Sequence, residues 1–162
     1  MSSESPVILA LHTFSGGLGY ACIQVPERLL DYGVTKISPV SNNKALSKAE
    51  KFISYYRPQV VLMRDGSGDP KSGRSRKLRD AIETLAGEMG VDVYRYTKEQ
   101  VAETFEVFGV TTKHGIVSKI VEFLPELGHR TPKERRWYEK DDYNMPIFNA
   151  VALAITHAHR RC

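Results

Sequence analysis

The sequence predicts an α/β fold in which a mixed sheet, three antiparallel strands followed by parallel ones, carries helices on both faces. Three observations lead there. The first is Val7 to Ile23, VILALHTFSGGLGYACI, where a run of strand-forming residues breaks at a glycine-rich turn and then resumes, the pattern of a β-hairpin. The second is the region after residue 41, where segments of helical periodicity alternate with short apolar runs. The third is continuity. No linker, internal repeat or low-complexity stretch interrupts the 162 residues, so a single domain spanning 1–162 accounts for the chain.

The hairpin arms are Val7 to Leu11 and Leu18 to Ile23, joined through Ser15, Gly16 and Gly17. Glu27 to Val40 alternates weakly and ends at Ser38-Pro39, which suits a third strand antiparallel to the second. Ser41 or Asn42 can cap a helix whose apolar positions Ala45, Leu46, Ala49, Phe52, Ile53 and Tyr56 recur at helical spacing, and Arg57-Pro58 stops it. Val60-Val61-Leu62-Met63 has no polar alternation, as a central strand buried on both faces requires, and it ends at Arg64-Asp65-Gly66. Loops that leave such a strand at its carboxyl end commonly carry function.

A basic, flexible segment is expected next, Gly66 to Arg79, with Lys71, Arg74, Arg76, Lys77 and Arg79 among glycines and serines. It leads into a helix faced by Leu78, Ile82, Leu85, Ala86 and Met89 and closed by Gly90. Val91, Val93 and Tyr94 make a short strand. Thr97 with Gln100 is a capping box for a helix through Phe108. Another helix is predicted from Thr112 to Leu127, with Ile116, Ile120, Val121 and Leu124 inward. Gly128 to Lys140 reads as a basic surface loop carrying Arg130, Lys133, Arg135 and Arg136, anchored by Trp137. The last helix runs from Tyr143 to His159, with Pro146 in its first turn and Ile147, Val151 and Ile155 on one stripe.

Composition narrows the function. A hydrophobic fraction of 41% with 26% charged residues belongs to a soluble globular protein and excludes disorder. No apolar run approaches the roughly 20 residues of a spanning helix, and the polar opening Met1 to Pro6 is no signal peptide, which predicts a cytoplasmic protein. Cys22 and Cys162 form neither a disulfide framework nor a zinc-ligand spacing. A net charge of +4 is compatible with a polyanionic partner.

Residue for residue, Val7 to Ile23 resembles the opening hairpin of the RuvC-type Holliday-junction resolvases of the ribonuclease H-like superfamily, with Ser15 and Gly19-Tyr20 at the family's positions. Tyr56-Arg57-Pro58 running into Val60-Val61-Leu62 resembles the helix-Pro-strand step before that family's second acidic residue. Phe105 to Leu124, with Gly109, Lys113 and Val117, is similar to its lysine-bearing turn and following helix. Asn149 to His159 resembles the closing helix. Together these pieces cover most of the chain. The resemblance implies a ribonuclease H-like fold, a homodimer, and nucleic acid, branched or structured DNA above all, as partner.

Where the resemblance places metal-binding carboxylates, this chain departs. The first-strand aspartate becomes His12, the glutamate ending the middle strand becomes Arg64, the last-helix aspartate becomes Asn149, and the position one turn earlier falls at Pro146. Such nucleases cut phosphodiesters with two divalent ions, and hard ions such as Mg²⁺ require oxygen ligands. His12 and Arg64 repel a cation. The expectation is a relative without cofactor that binds nucleic acid without cutting it. His12 and Arg64 would touch a phosphate directly, Asn149 would line the cleft, and Lys71, Arg74, Arg76, Lys77, Arg79 and Lys113 would lie along the backbone.

Two alternatives stand beside it. Asp65, Asp69, Asp141 and Asp142 can supply a shifted Mg²⁺ or Mn²⁺ site, with Asp65 and Asp142 catalytic, in an active endodeoxyribonuclease of the crossover-junction type. Against that, Asp142 is a natural helix cap and Asp65-Gly66 a turn pair. The chain can also be a non-enzymatic dimeric interaction module. Structural roles compete at single residues as well. A lone histidine at a strand end, such as His12, is ordinarily a hydrogen-bonded structural residue, and no Ser or Cys nucleophile with a matching acid surrounds it. His157 and His159, two apart on one helix, read as structural or solvated.

Overall fold

A computed structural model describes residues 6–14, 16–24, 28–37, 41–65, 73–131 and 144–161, with the backbone alone for 73–75. Strands β1 (Val7–Phe14), β2 (Gly17–Gln24), β3 (Arg28–Lys36), β4 (Val60–Asp65) and β5 (Asp92–Thr97) form one sheet in the order β3-β2-β1-β4-β5. The first three are antiparallel, and β1, β4 and β5 run parallel. The mixed sheet expected from the sequence is therefore the one present.

Alternation along the strands sorts side chains into two layers. Ile8, Ala10, Ala21, Ile23, Leu62 and Tyr96 face one side and bury against α3 (Lys98–Val107), α4 (Lys113–Phe123) and α5 (Met145–Arg161). Leu9, Leu11, Leu18, Cys22, Val61 and Met63 face the other and bury against α1 (Asn42–Tyr56) and α2 (Gly73–Glu88). A buried parallel strand such as β4 must satisfy both layers, which is why Val60 to Met63 shows no polar alternation. Helix α5 is buried nearly all round, with Ile147, Phe148, Val151 and Leu153 at most 1% exposed. Each such side chain is worth about 1.5–3 kcal/mol of burial, so burial along its length holds α5 to the sheet.

Local signals behave as their chemistry requires. Ser41 caps α1 by accepting from the Lys44 amide, and Arg57 closes it in the left-handed conformation (φ 49°) before Pro58. Thr97 and Gln100 form the reciprocal capping box of α3, at 3.1 and 2.8 Å.

Some boundaries differ from expectation. Helix α2 begins at Gly73, so Arg74, Arg76, Lys77 and Arg79 are helical rather than part of a flexible segment; the Leu78, Ile82, Ala86 stripe extends the helix back past the charges. Helix α4 stops at Phe123 rather than Leu127, because Pro125 lacks the amide hydrogen to continue it and starts a 3₁₀ turn (Pro125–Arg130). That turn also takes in Gly128 to Arg130, expected in the basic loop; the rest of that loop, from Pro132 with Trp137, lies outside the described residues.

Candidate functional site

The carboxyl ends of β1 and β4 lie side by side at the centre of the sheet, where the strand direction changes from antiparallel to parallel. Open α/β sheets characteristically bind ligands in the crevice outside such ends. The β1–β4 ladder pairs Ile8, Leu9 and Ala10 with Val60, Val61 and Leu62; both strands then continue, to Phe14 and Asp65.

His12 is half-buried and shares the α5-facing side of β1 with Ile8 and Ala10. Its partner across the hairpin is Gly19. A Cβ at Gly19 would lie 2.4 Å from the Pro146 Cβ and 2.5 Å from the Pro146 carbonyl oxygen, so only glycine lets the first turn of α5 lie on the sheet there. One turn further on, Asn149 projects to His12, with 3.2 Å between Asn149 Nδ2 and His12 Nε2. Alternation from Leu62 puts Arg64 on the α5-facing side of β4, the same side as His12 on β1. The fold thus brings His12, Asn149 and Pro146 together, with Arg64 two residues past the last β4 residue paired with β1 and on the same side of the sheet.

That group offers an imidazole, a guanidinium and an amide. Its only side-chain oxygen belongs to the Asn149 amide, so the donor set does not fit a hard divalent cation, which takes about six oxygens. A phosphate oxygen fits it better, because guanidinium, amide and protonated imidazole all donate. Asp65 does not join the group. It alternates to the side of Val61 and Met63 and acts electrostatically on Arg79 of α2. Among the described residues no three His, Cys, Asp or Glu side chains stand close enough to share a metal ion. Asp69, Asp141 and Asp142 lie outside the described residues, as do Lys71 and the side chain of Arg74.

The basic residues separate. Arg76 and Lys77 are exposed near the start of α2, and Lys113 is exposed at the start of α4, behind the Thr112 cap. Arg79, expected along the backbone as well, is only 7% exposed, because its position on α2 faces the sheet one residue from buried Leu78. The histidines of α5 are as expected. His157 is buried, with Nδ1 2.6 Å from the Tyr96 hydroxyl and its ring 5.0 Å from that of Tyr94, and burial, then Arg161, lower its pKa. His159 is exposed and packs on Phe108 with ring centroids 5.8 Å apart.

Sequence reasoning missed the residues that hold the start of α5. Arg130 donates from Nη1 to Asn144 Oδ1 at 3.0 Å, and its guanidinium lies 5.8 Å from the Tyr32 ring centroid. Tyr32 in turn places its hydroxyl 3.4 Å from His129 Nε2. In the sequence Arg130 is one basic residue among several, and nothing there pairs it with Tyr32 or Asn144.

No protein-family model matches the sequence, and none of the curated proteins does. Solved structures match in shape. RuvC of Thermus thermophilus superposes with a TM-score of 0.70 at 20% identity, over 96% of this chain and 95% of that one. The same protein in complex with a Holliday junction substrate gives 0.72 at 20% identity, over 96% and 94%. The Holliday junction resolvase of fowlpox virus gives 0.54 at 15% identity, over 95% and 99%. What these neighbours share with this chain is the ribonuclease H-like fold of the resolvases.

Proposed function

We propose that this chain binds branched or structured DNA in the crevice at the ends of β1 and β4 and does not hydrolyse it. The observation that carries the reading is the contact between Asn149 and His12. Two positions where the resolvase resemblance calls for carboxylates hold an amide and an imidazole instead, and Arg64 replaces a third. In this reading Arg64 offers a bidentate fork to a phosphate oxygen, and His12 and Asn149 donate beside it. Arg76, Lys77 and Lys113, with Lys71 and Arg74, contact the backbone and supply affinity without sequence preference. The neighbours' junction complexes support the choice of a branched substrate, and a homodimer would present two such crevices to it.

The test is a mobility-shift titration of a four-way DNA junction against plain duplex at several salt concentrations, with Mn²⁺ added and the products run on a denaturing gel. Junction shifted but intact, with affinity falling steeply with salt, is the expected result. Nicked junction would overturn it in favour of a metal-dependent nuclease using Asp65, Asp69, Asp141 or Asp142. Absence of any shift at low salt, with a dimer retained, would make the chain an interaction module.

A further inference from the structure

We propose that one outward flank of α1, formed by Lys44, Lys48, Lys51 and Tyr55, is a binding surface for a nucleic-acid strand with unpaired bases. It lies on the α2 side of the sheet, away from His12 and Asn149, and does not depend on the crevice described above.

Helical spacing puts these residues in one row. They follow one another at intervals of four, three and four positions. At about 3.6 residues per turn they fall within a sector roughly 60° wide and span about 16 Å of the axis. Ala45, Ala49 and Ile53 turn the other way and are buried, which holds the three lysines and Tyr55 outward. All of them are exposed, Tyr55 by 80%.

The charge on the row is uncompensated. Among the described residues no carboxylate pairs with Lys44, Lys48 or Lys51, whereas Lys119 pairs with Glu122, Arg95 with Asp80 and Glu83, and Arg160 with Glu103. Glu50, the one acid of α1, stands about 100° or more round the axis from every member of the row. Asp31, reached through Tyr56, already accepts from the Tyr56 hydroxyl and the Tyr32 amide. Like charges one turn apart repel, so a polyanion laid along the row stabilises it.

Tyr55 makes this more than a basic helix face. Its ring packs on Tyr56 with centroids 4.9 Å apart and planes at 86°, so the neighbour orients it and leaves it open to solvent. Lysines that track phosphates beside an aromatic ring on which a base stacks are a general means of holding single strands. In a duplex the base faces are stacked on one another, and Tyr55 has nothing to take. An anionic membrane fits less well, because the aliphatic side chains of α1 face the sheet and the row has none to insert.

The experiment titrates the full chain into a labelled oligothymidine and a labelled blunt duplex, reading fluorescence anisotropy at several salt concentrations. The single strand should bind more tightly. Lys44→Gln, Lys48→Gln and Lys51→Gln together should reduce the slope of log K against log salt by about 2, at about 0.7 for each phosphate no longer neutralised. Tyr55→Ala should weaken the single strand about tenfold with the slope and the duplex affinity unchanged, and Tyr55→Phe should restore it. The thermal midpoint should stay that of the parent in every variant, since the side chains are exposed. The parent's slope in the triple variant, or the parent's affinity in Tyr55→Ala, overturns the proposal. Capture by phosphatidylserine vesicles that the same variants lose, with no binding of the oligonucleotide, overturns it in favour of a membrane surface. A single strand held through α1 by a protein that ignores a four-way junction would defeat the crevice reading and leave this one standing. A junction bound alike by the parent and by all the α1 variants, with no single-strand binding, would do the reverse.

Discussion

Asn149 reaches His12 across 137 positions of sequence, its Nδ2 3.2 Å from the imidazole Nε2. The amide of the last helix and the imidazole of the first strand are thus within hydrogen-bonding distance of each other. An amide and an imidazole meet where the resemblance would place two carboxylates, which repel each other unless a cation lies between them. The first prediction follows from that replacement.

The triple substitution His12→Asp, Arg64→Glu and Asn149→Asp should rebuild a carboxylate cluster. Without metal it is less stable than the parent, because like charges converge in a half-buried place. Calorimetry with Mn²⁺ should show binding at least about tenfold tighter than in the parent, since the new donors are hard oxygens. An unchanged Mn²⁺ isotherm would mean that the three positions do not share one pocket.

Gly19→Ala tests how α5 is seated. The added methyl would sit 2.4 Å from the Pro146 Cβ, too close for any rotamer to relieve, so the first turn of α5 must lift. The expected loss is about 1–3 kcal/mol, read as a lower urea midpoint at unchanged slope. Because the lifted turn also carries Asn149 away from His12, junction affinity should fall in the same variant even where it remains folded.

Salt dependence distinguishes the exposed cations from the buried one. Arg76→Ala with Lys77→Ala should weaken junction binding for all sequences alike and reduce the slope of log K against log salt by about 0.9 for each phosphate that the protein no longer neutralises. A double variant with the parent's slope would place the DNA elsewhere on the protein.

His157 predicts an acid limb of stability. Burial, with Arg161 adding to it, holds its imidazole below the usual range, with Tyr94 and Tyr96 against the ring. Above about pH 6.5 the group is neutral folded and unfolded, and contributes no pH dependence. As the pH falls through that value the unfolded chain takes up the proton first, so stability is lost until the lower folded pKa is passed. Urea midpoints of the parent should therefore drop more between about pH 7 and pH 5 than those of His157→Gln, which keeps an acceptor for the Tyr96 hydroxyl. Parallel curves for the two proteins would remove the assignment.

Much of the fold is written in local chemistry. The hairpin is legible in Val7 to Ile23 because strand residues flank a glycine turn, β4 in four apolar residues because a strand covered on both faces has no polar side, and α3 in the Thr97–Gln100 box. That His12, Arg64 and Asn149 stand where the resemblance calls for carboxylates is likewise read from the sequence alone. Contacts between distant elements are not. That Gly19 is needed under Pro146, that Arg130 ties Asn144 to Tyr32, and that Arg79 lies buried on the side of β4 away from His12 depend on how α5 and α2 are rotated against the sheet. Sequence periodicity sets which stripe of a helix is apolar, but the packing of whole elements decides which polar residue at the stripe's edge is covered and what it meets.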